Sequence, residues 1–149
     1  CVVFVSFQEF HARKNLPTSR FDRLITQFLR DQGRPQAMLV GPPDEFMLQA
    51  RTGHPVFAEA ATISYLTYMP ETGPAFKKML FDMYGRRYGR PGEVEEIPWK
   101  DLWHSRTQDQ WRALAGQYGF RYVVAYGAMK LDLPVALSDG ENSLYAVPE

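Results

Sequence analysis

A chain of 149 residues, 45% of them hydrophobic and 23% charged, has average globular composition and enough length to bury one full core, so one domain spanning 1–149 is the economical count. Lysine plus arginine equals aspartate plus glutamate at 17 each, so no global field gathers nucleic acid, and no nucleic-acid partner is expected. A single cysteine, Cys1, excludes an intramolecular disulfide and a cysteine-built metal site, and the three histidines, His11, His54 and His104, lack metal-ligand spacing.

Residues 1–7 are apolar but fall far short of the ~20 residues needed to cross a bilayer. They read either as a buried strand or as the end of a membrane helix lying upstream. Because the first residue is not Met, the sequence reads as a processed chain or as part of a longer one. Residues 19–32 carry the clearest helix signal: Phe21, Leu24, Ile25, Phe28 and Leu29 recur at three- and four-residue spacing, with Ser19 as cap, Asp22 in the first turn and Gly33 as stop. Residues 36–40 read as a short buried strand that runs into Gly41-Pro42-Pro43-Asp44. A short helix over 45–51, ended by Gly53, and a second strand over 55–58 follow.

The next helix is marked by Thr72 as cap, Pro74 at the first helical position, an apolar face of Phe76, Leu80, Met83 and Tyr84, and Gly85 as stop. Residues 85–98 read as a loop whose charge reverses from Arg86, Arg87 and Arg90 to Glu93, Glu95 and Glu96. Thr107 and Gln110 form a capping box for a helix that presents Trp111, Leu114, Ala115 and Tyr118 and stops at Gly119. A buried strand over 122–126 follows. Strands over 134–137 and 143–147 then flank an Asp139-Gly140 turn, a hairpin signal. The succession predicts an α/β fold: a small open sheet with helices packed on it, parallel core strands and a C-terminal antiparallel hairpin.

The motifs that carry familiar chemistry are missing. No Gly-x-Gly-x-x-Gly, no Walker loop and no Gly-x-Ser-x-Gly elbow occurs, so the sequence points to no catalytic residue, metal or cofactor. The loop ending in Asp44 sits at the C-terminal end of a predicted strand, where open α/β sheets place ligands. Its two prolines remove two amide donors, which rules out a phosphate cradle of the usual kind and leaves a tight turn as the plain reading. The most distinctive short stretch runs from Arg51 through His54 to Phe57, an arginine and a turn leading into a strand. Arg86-Arg87-Tyr88 interleaves basic and aromatic side chains and reads as a phosphate or base contact, or as a solvated loop. Trp99 and Trp103 are four apart and share one helical face, as a sugar platform or a core contact. Asp101 and His104 likewise share a face, as an acid–base pair or as surface residues. The candidate ligand contacts are thus Asp44, Arg51, His54, Arg86, Arg87, Trp99 and Trp103.

A resemblance rests on the order of several stretches: the amphipathic helix from Phe21 to Leu29, the strand ending in Pro42-Pro43, the Arg-x-x-Gly-x-Pro-Val segment from Arg51 to Val56, and the closing Tyr-Gly-Phe-Arg-Tyr-Val-Val with hairpin from Tyr118 to Val147. Together they resemble the C-terminal extracytoplasmic domain of bacterial polytopic membrane proteins of the glycosyltransferase-C type. The resemblance implies a non-catalytic accessory domain on the periplasmic side of the cytoplasmic membrane. Its partners would be an upstream transmembrane region of the same protein and a glycan or lipid-linked sugar. Two other expectations stand beside it. One is a small soluble enzyme or nucleotide- or anion-binding module using the loop after Val40, with Arg51 and Arg86 or Arg87 as anion contacts. The other is a protein–protein interaction domain, suggested by the abundance of Tyr, Trp, Met and Arg.

Overall fold

The computed structural model describes residues 18–45, 47–58, 73–86 and 97–149. In chain order the elements are α1 (Arg20–Asp31), β1 (Leu39–Val40), α2 (Leu48–Thr52), β2 (Val56–Phe57), α3 (Gly73–Tyr84), α4 (Trp99–Ser105), α5 (Gln108–Tyr118), β3 (Tyr122–Ala125), β4 (Val135–Ser138) and β5 (Ser143–Ala146). The strands form one five-stranded sheet in the order β2-β1-β3-β5-β4. β1 runs parallel to both neighbours, and β5 runs antiparallel to β3 and β4. This is the α/β fold expected, with a parallel core and a closing antiparallel hairpin.

Strand periodicity divides the core into two layers. Successive strand side chains point to opposite faces, so Leu39, Tyr122, Val124 and Leu144 meet Phe21, Ile25, Leu29 and Leu48 of α1 and α2 on one face. Val40, Val123, Ala125 and Tyr145 meet Leu80, Met83, Trp103 and Trp111 of α3, α4 and α5 on the other. A sheet covered on both sides needs strands that are apolar throughout rather than alternating, which is why all four residues of β3 are buried.

The helix ends follow their local chemistry. Ser19 Oγ accepts from Asp22 N at 3.0 Å while Asp22 Oδ2 accepts from Ser19 N at 2.9 Å, closing a capping box on α1. Thr107 and Gln110 do the same for α5, whose end is set by Gly119 at φ +80°. α3 begins one residue before Pro74, and its expected cap, Thr72, lies outside the described residues. α2 starts later than its sequence suggested. Glu45 N bonds to Pro42 O in a turn at 3.1 Å and Met47 adopts a left-handed φ of 64°, so helical geometry begins only at Leu48.

β1 and β2 are two residues each, shorter than expected, because a turn closed by Ala37 N to Arg34 O at 3.1 Å occupies the run before β1. The hairpin turn between β4 and β5 is held by Asp139 Oδ1, which accepts from Glu141 N at 3.1 Å and Asn142 N at 2.8 Å. The expected opening strand over 1–7 and most of the charge-reversal loop, including Arg87, lie outside the described residues.

The core on the second face is aromatic. Trp103 is fully buried, donates from Nε1 to Met83 O at 2.9 Å, and packs against Tyr84, Trp99 and Trp111 with ring centroids 5.0 to 5.9 Å apart. Arg106 lies beside it, 6% exposed, with its guanidinium 4.9 Å from the Trp111 ring and donating to Asp82 O. Burial pulls its pKa down to about 10, with the charge of Asp82 opposing that fall.

Candidate functional site

The chain leaves β1 and β3 in opposite directions. After β1 it turns through Gly41 and Pro42 towards α2 on the first face. After β3 it drops to the second face, where Leu131 and Leu133 join the core. Adjacent parallel strands whose exits diverge leave a crevice at their C-terminal ends, the usual ligand position in open α/β sheets.

Each wall of that crevice is anchored. Tyr84 donates its hydroxyl to Gly41 O at 2.9 Å, which fixes the start of the loop after β1. A Cβ on Gly41 would fall 2.8 Å from Leu48 Cδ2, so a larger residue here would make the Leu48 side chain shift. On the other wall Gly127 N donates to Asn142 Oδ1 at 3.0 Å and Tyr145 OH donates to Met129 O at 3.0 Å. His104 Nδ1 lies 2.6 Å from Lys130 O. A carbonyl only accepts, so Nδ1 carries the proton and Nε2 is left as the acceptor of the neutral ring.

Between these walls lie two adjoining hollows. One, of about 230 Å³, is lined by Pro42, Asp44, Glu45, Trp99, Lys100, Tyr126 and Met129. The other, of about 390 Å³, is lined by Lys100, His104, Tyr126, Gly127, Ala128 and Met129. Their shared residues are Lys100, Tyr126 and Met129. Asp44 and Lys100 are exposed, while Glu45, Trp99 and Tyr126 are half-buried. The Lys100 ammonium sits 5.6 Å from the Trp99 ring.

Beneath the crevice is an ionic node of one buried carboxylate, Asp22, with the half-buried Arg51 and Glu45. Arg51 Nε donates to Asp22 Oδ2 at 3.0 Å, and Nη2 donates to Glu45 Oε1 at 2.5 Å and to Tyr126 OH at 3.3 Å. Asp22 is 1% exposed, and its Oδ1 has no hydrogen-bond partner among the described residues. Burial works against the Arg51 charge, but the Glu45 bond and the Asp22 charge outweigh it and raise the guanidinium pKa. Tyr126 is pushed well above the ordinary tyrosine range, first by burial and then by the charges of Glu45 and Asp22.

A pH dependence follows from Tyr126. Below about 10 both folded and unfolded chains hold the phenolic proton. Above it the unfolded chain releases a proton that the folded chain keeps, so stability falls as pH rises from the ordinary tyrosine value towards the raised one. Tyr118, raised by burial and by its bond to Asp82, adds to the same fall. Alkaline denaturation curves of Tyr126→Phe are expected to decline less steeply than those of the native chain. Equal slopes would remove Tyr126 as a source.

The sequence candidates separate by position. Asp44 and Trp99 line the crevice. Arg51 lies under it, its guanidinium already engaged by Asp22, Glu45 and Tyr126, so it braces the site instead of offering itself to an anion. Trp103 is buried behind Trp99 with ring centroids 5.0 Å apart, so only one of the pair reaches the surface. His54 is 5% exposed in the turn before β2 and Arg86 is half-buried just past α3, neither of them lining the crevice; Arg87 lies outside the described residues. His104 turns to Lys130 O and not to Asp101. Glu45, Lys100, Tyr126 and Met129 were not singled out in the sequence. Tyr126 follows the same rule as Asp44, because β3 ends at Ala125 and not at Tyr126 as the apolar run suggests, which puts Tyr126 just past the C-terminal end of the strand.

Among the described residues no group of three or more His, Cys, Asp or Glu side chains is placed to hold a metal ion. No described helix is long and apolar enough to cross a membrane. Compared with protein-family models, curated proteins and solved structures, the chain matches none.

Proposed function

We propose that this chain is a sugar-contacting accessory domain of an envelope protein that transfers glycans or lipid-linked sugars. It stands outside the cytoplasmic membrane and is tethered to a membrane-spanning part upstream of Cys1. The tether and location rest on the resemblance carried by the helix–Pro-Pro–Arg-x-x-Gly-x-Pro-Val–hairpin succession. One observation supports the contact: Trp99 lines a crevice at the C-terminal ends of β1 and β3 together with Asp44, Glu45, Lys100 and Tyr126.

Sugars present an apolar C–H face and a rim of hydroxyls. An indole offers area to the first, while carboxylates and a phenol exchange hydrogen bonds with the second. Asp44 is the exposed acceptor, and Glu45, held at 2.5 Å by Arg51, is a fixed one. A second reading, a small enzyme or anion-binding module, draws on Lys100 and on the ring orientation of His104 in the adjoining hollow.

Titration with neutral mono- and oligosaccharides, followed by calorimetry and tryptophan emission, separates the two. Saturable binding of a neutral saccharide is expected, weakened about tenfold in Trp99→Ala, the scale of one lost aromatic stacking contact. Binding of sugar phosphates or nucleotides alone would favour the second reading, and no saturable ligand, or indifference to Trp99→Ala, would overturn the sugar contact. The tether is tested by the reading frame upstream of Cys1: it is expected to encode transmembrane helices, and a frame with none removes the envelope assignment.

A further inference from the structure

At the opposite end of the sheet, beside the start of β3, two more hollows adjoin through Gly119 and Arg121, with volumes of about 360 and 470 Å³. Arg34, Arg112 and Arg121 line them from the turn after α1, from α5 and from the residue before β3. One carboxylate occupies this setting. Glu149 Oε1 lies 3.1 Å from Arg121 Nη1 and 3.8 Å from Arg34 Nη2, so an oxygen anion is already seated between two guanidinium groups that come from distant parts of the chain. Arg112 pairs instead with Asp109 at 2.9 Å, one turn away on its own helix.

From this arrangement we propose a second binding site, for a compact oxyanion of the phosphate class, in which Arg34 and Arg121 grip the ligand and Glu149 is a built-in competitor that it displaces. Guanidinium groups match phosphate geometry with paired donors, and a phosphate carries more charge than the carboxylate it replaces. α1 and α5 both end here, and their C-terminal dipoles work against an anion. They work against the Glu149 carboxylate too, which is bound nonetheless, and against a more highly charged phosphate in proportion to its charge. Glu149 is held lightly: its side chain is 74% exposed, against 50% for Arg34 and 47% for Arg121, so displacement uncovers no buried charge. The site stands apart from the crevice and does not depend on the sugar reading.

The test uses the full chain and two sources of the same chemistry, pyrophosphate in solution and vesicles of phosphatidic acid, whose headgroup is a phosphate monoester, with phosphatidylcholine vesicles as blank. Glu149→Gln is expected to tighten binding about tenfold, since the competing charge is gone while the side chain's size is kept. Arg34→Ala and Arg121→Ala are each expected to weaken it about tenfold, and more at low salt than at high. All three side chains are largely exposed, Arg121 least at 47%, so the variants keep the thermal unfolding profile of the native chain, which circular dichroism checks. Pyrophosphate binding without vesicle binding assigns a soluble ligand, and vesicle binding assigns a lipid headgroup. Absence of both in Glu149→Gln, or affinity unchanged in Arg121→Ala, overturns the site.

Discussion

Arg51→Ala is expected to lower the stability of the fold by about 3–5 kcal/mol, the range for removing one partner of a buried ion pair. The cost comes from what is left behind. Asp22 is 1% exposed and its Oδ1 has no partner among the described residues, so without the guanidinium the Ser19 amide is the one described donor left to its charge. Glu45 and Tyr126 lose a donor at the same time, which loosens both walls of the crevice. Arg51→Lys keeps the charge but not the fork that reaches Asp22, Glu45 and Tyr126 together, and falls between the alanine variant and the native chain. The pair Asp22→Asn with Arg51→Met is expected to cost less than the sum of its single changes, because no charge is left on the fully buried Asp22 position and only the half-buried Glu45 loses its ionic partner. Denaturant unfolding measures all four. A loss under about 1 kcal/mol for Arg51→Ala would class the node with ordinary surface ion pairs.

Trp103→Ala is expected to be comparably damaging, about 3–5 kcal/mol, the range for emptying a large aromatic site in a core that relaxes only in part. Trp103 is the hub where α3, α4 and α5 meet: it stacks on Tyr84 and meets the edges of Trp99 and Trp111. Trp103→Phe refills part of the volume but leaves the Met83 carbonyl without its 2.9 Å donor. It is expected to lose about 1–3 kcal/mol, the cost of one unmatched buried polar group. Thermal or denaturant unfolding ranks the two, and a phenylalanine variant as unstable as alanine would show that the hydrogen bond matters more than the packing. Because Trp99 leans on Trp103, either change also disorders the crevice wall, so Trp99→Ala is the cleaner probe of ligand binding.

Much of the architecture was legible because local signals and burial agreed. Ser19 with Asp22 and Thr107 with Gln110 announce their helices through capping chemistry that needs no tertiary partner. The unbroken apolar run from Tyr122 to Ala125 announces a strand covered on both faces. Turn residues at Asp139 and Gly140 announce the hairpin. The site was less legible because its members are set by contacts across long separations. Asp22 looked like a first-turn acid suited to the helix dipole, and only the fold brings Arg51, 29 positions away, onto Oδ2, the same oxygen that caps the helix through the Ser19 amide. Arg51 accordingly read as an anion contact when its partners are internal carboxylates. Trp99 and Trp103 share a periodicity, and periodicity alone does not say which of two stripe positions meets solvent. Lys100 and Met129 carry no motif and join the crevice only through the divergence of the chain after β1 and β3.

The crevice between the ends of β1 and β3 is the place proposed for this domain to meet its ligand. Amide chemical-shift mapping during saccharide titration tests it most directly. Saturating shifts are expected, confined to residues 41–45, 99–104 and 126–130, with the amides around Gly33, Gly119 and Arg121 at the opposite end unmoved. Shifts concentrated at that opposite end, or spread over the surface without saturation, would contradict it.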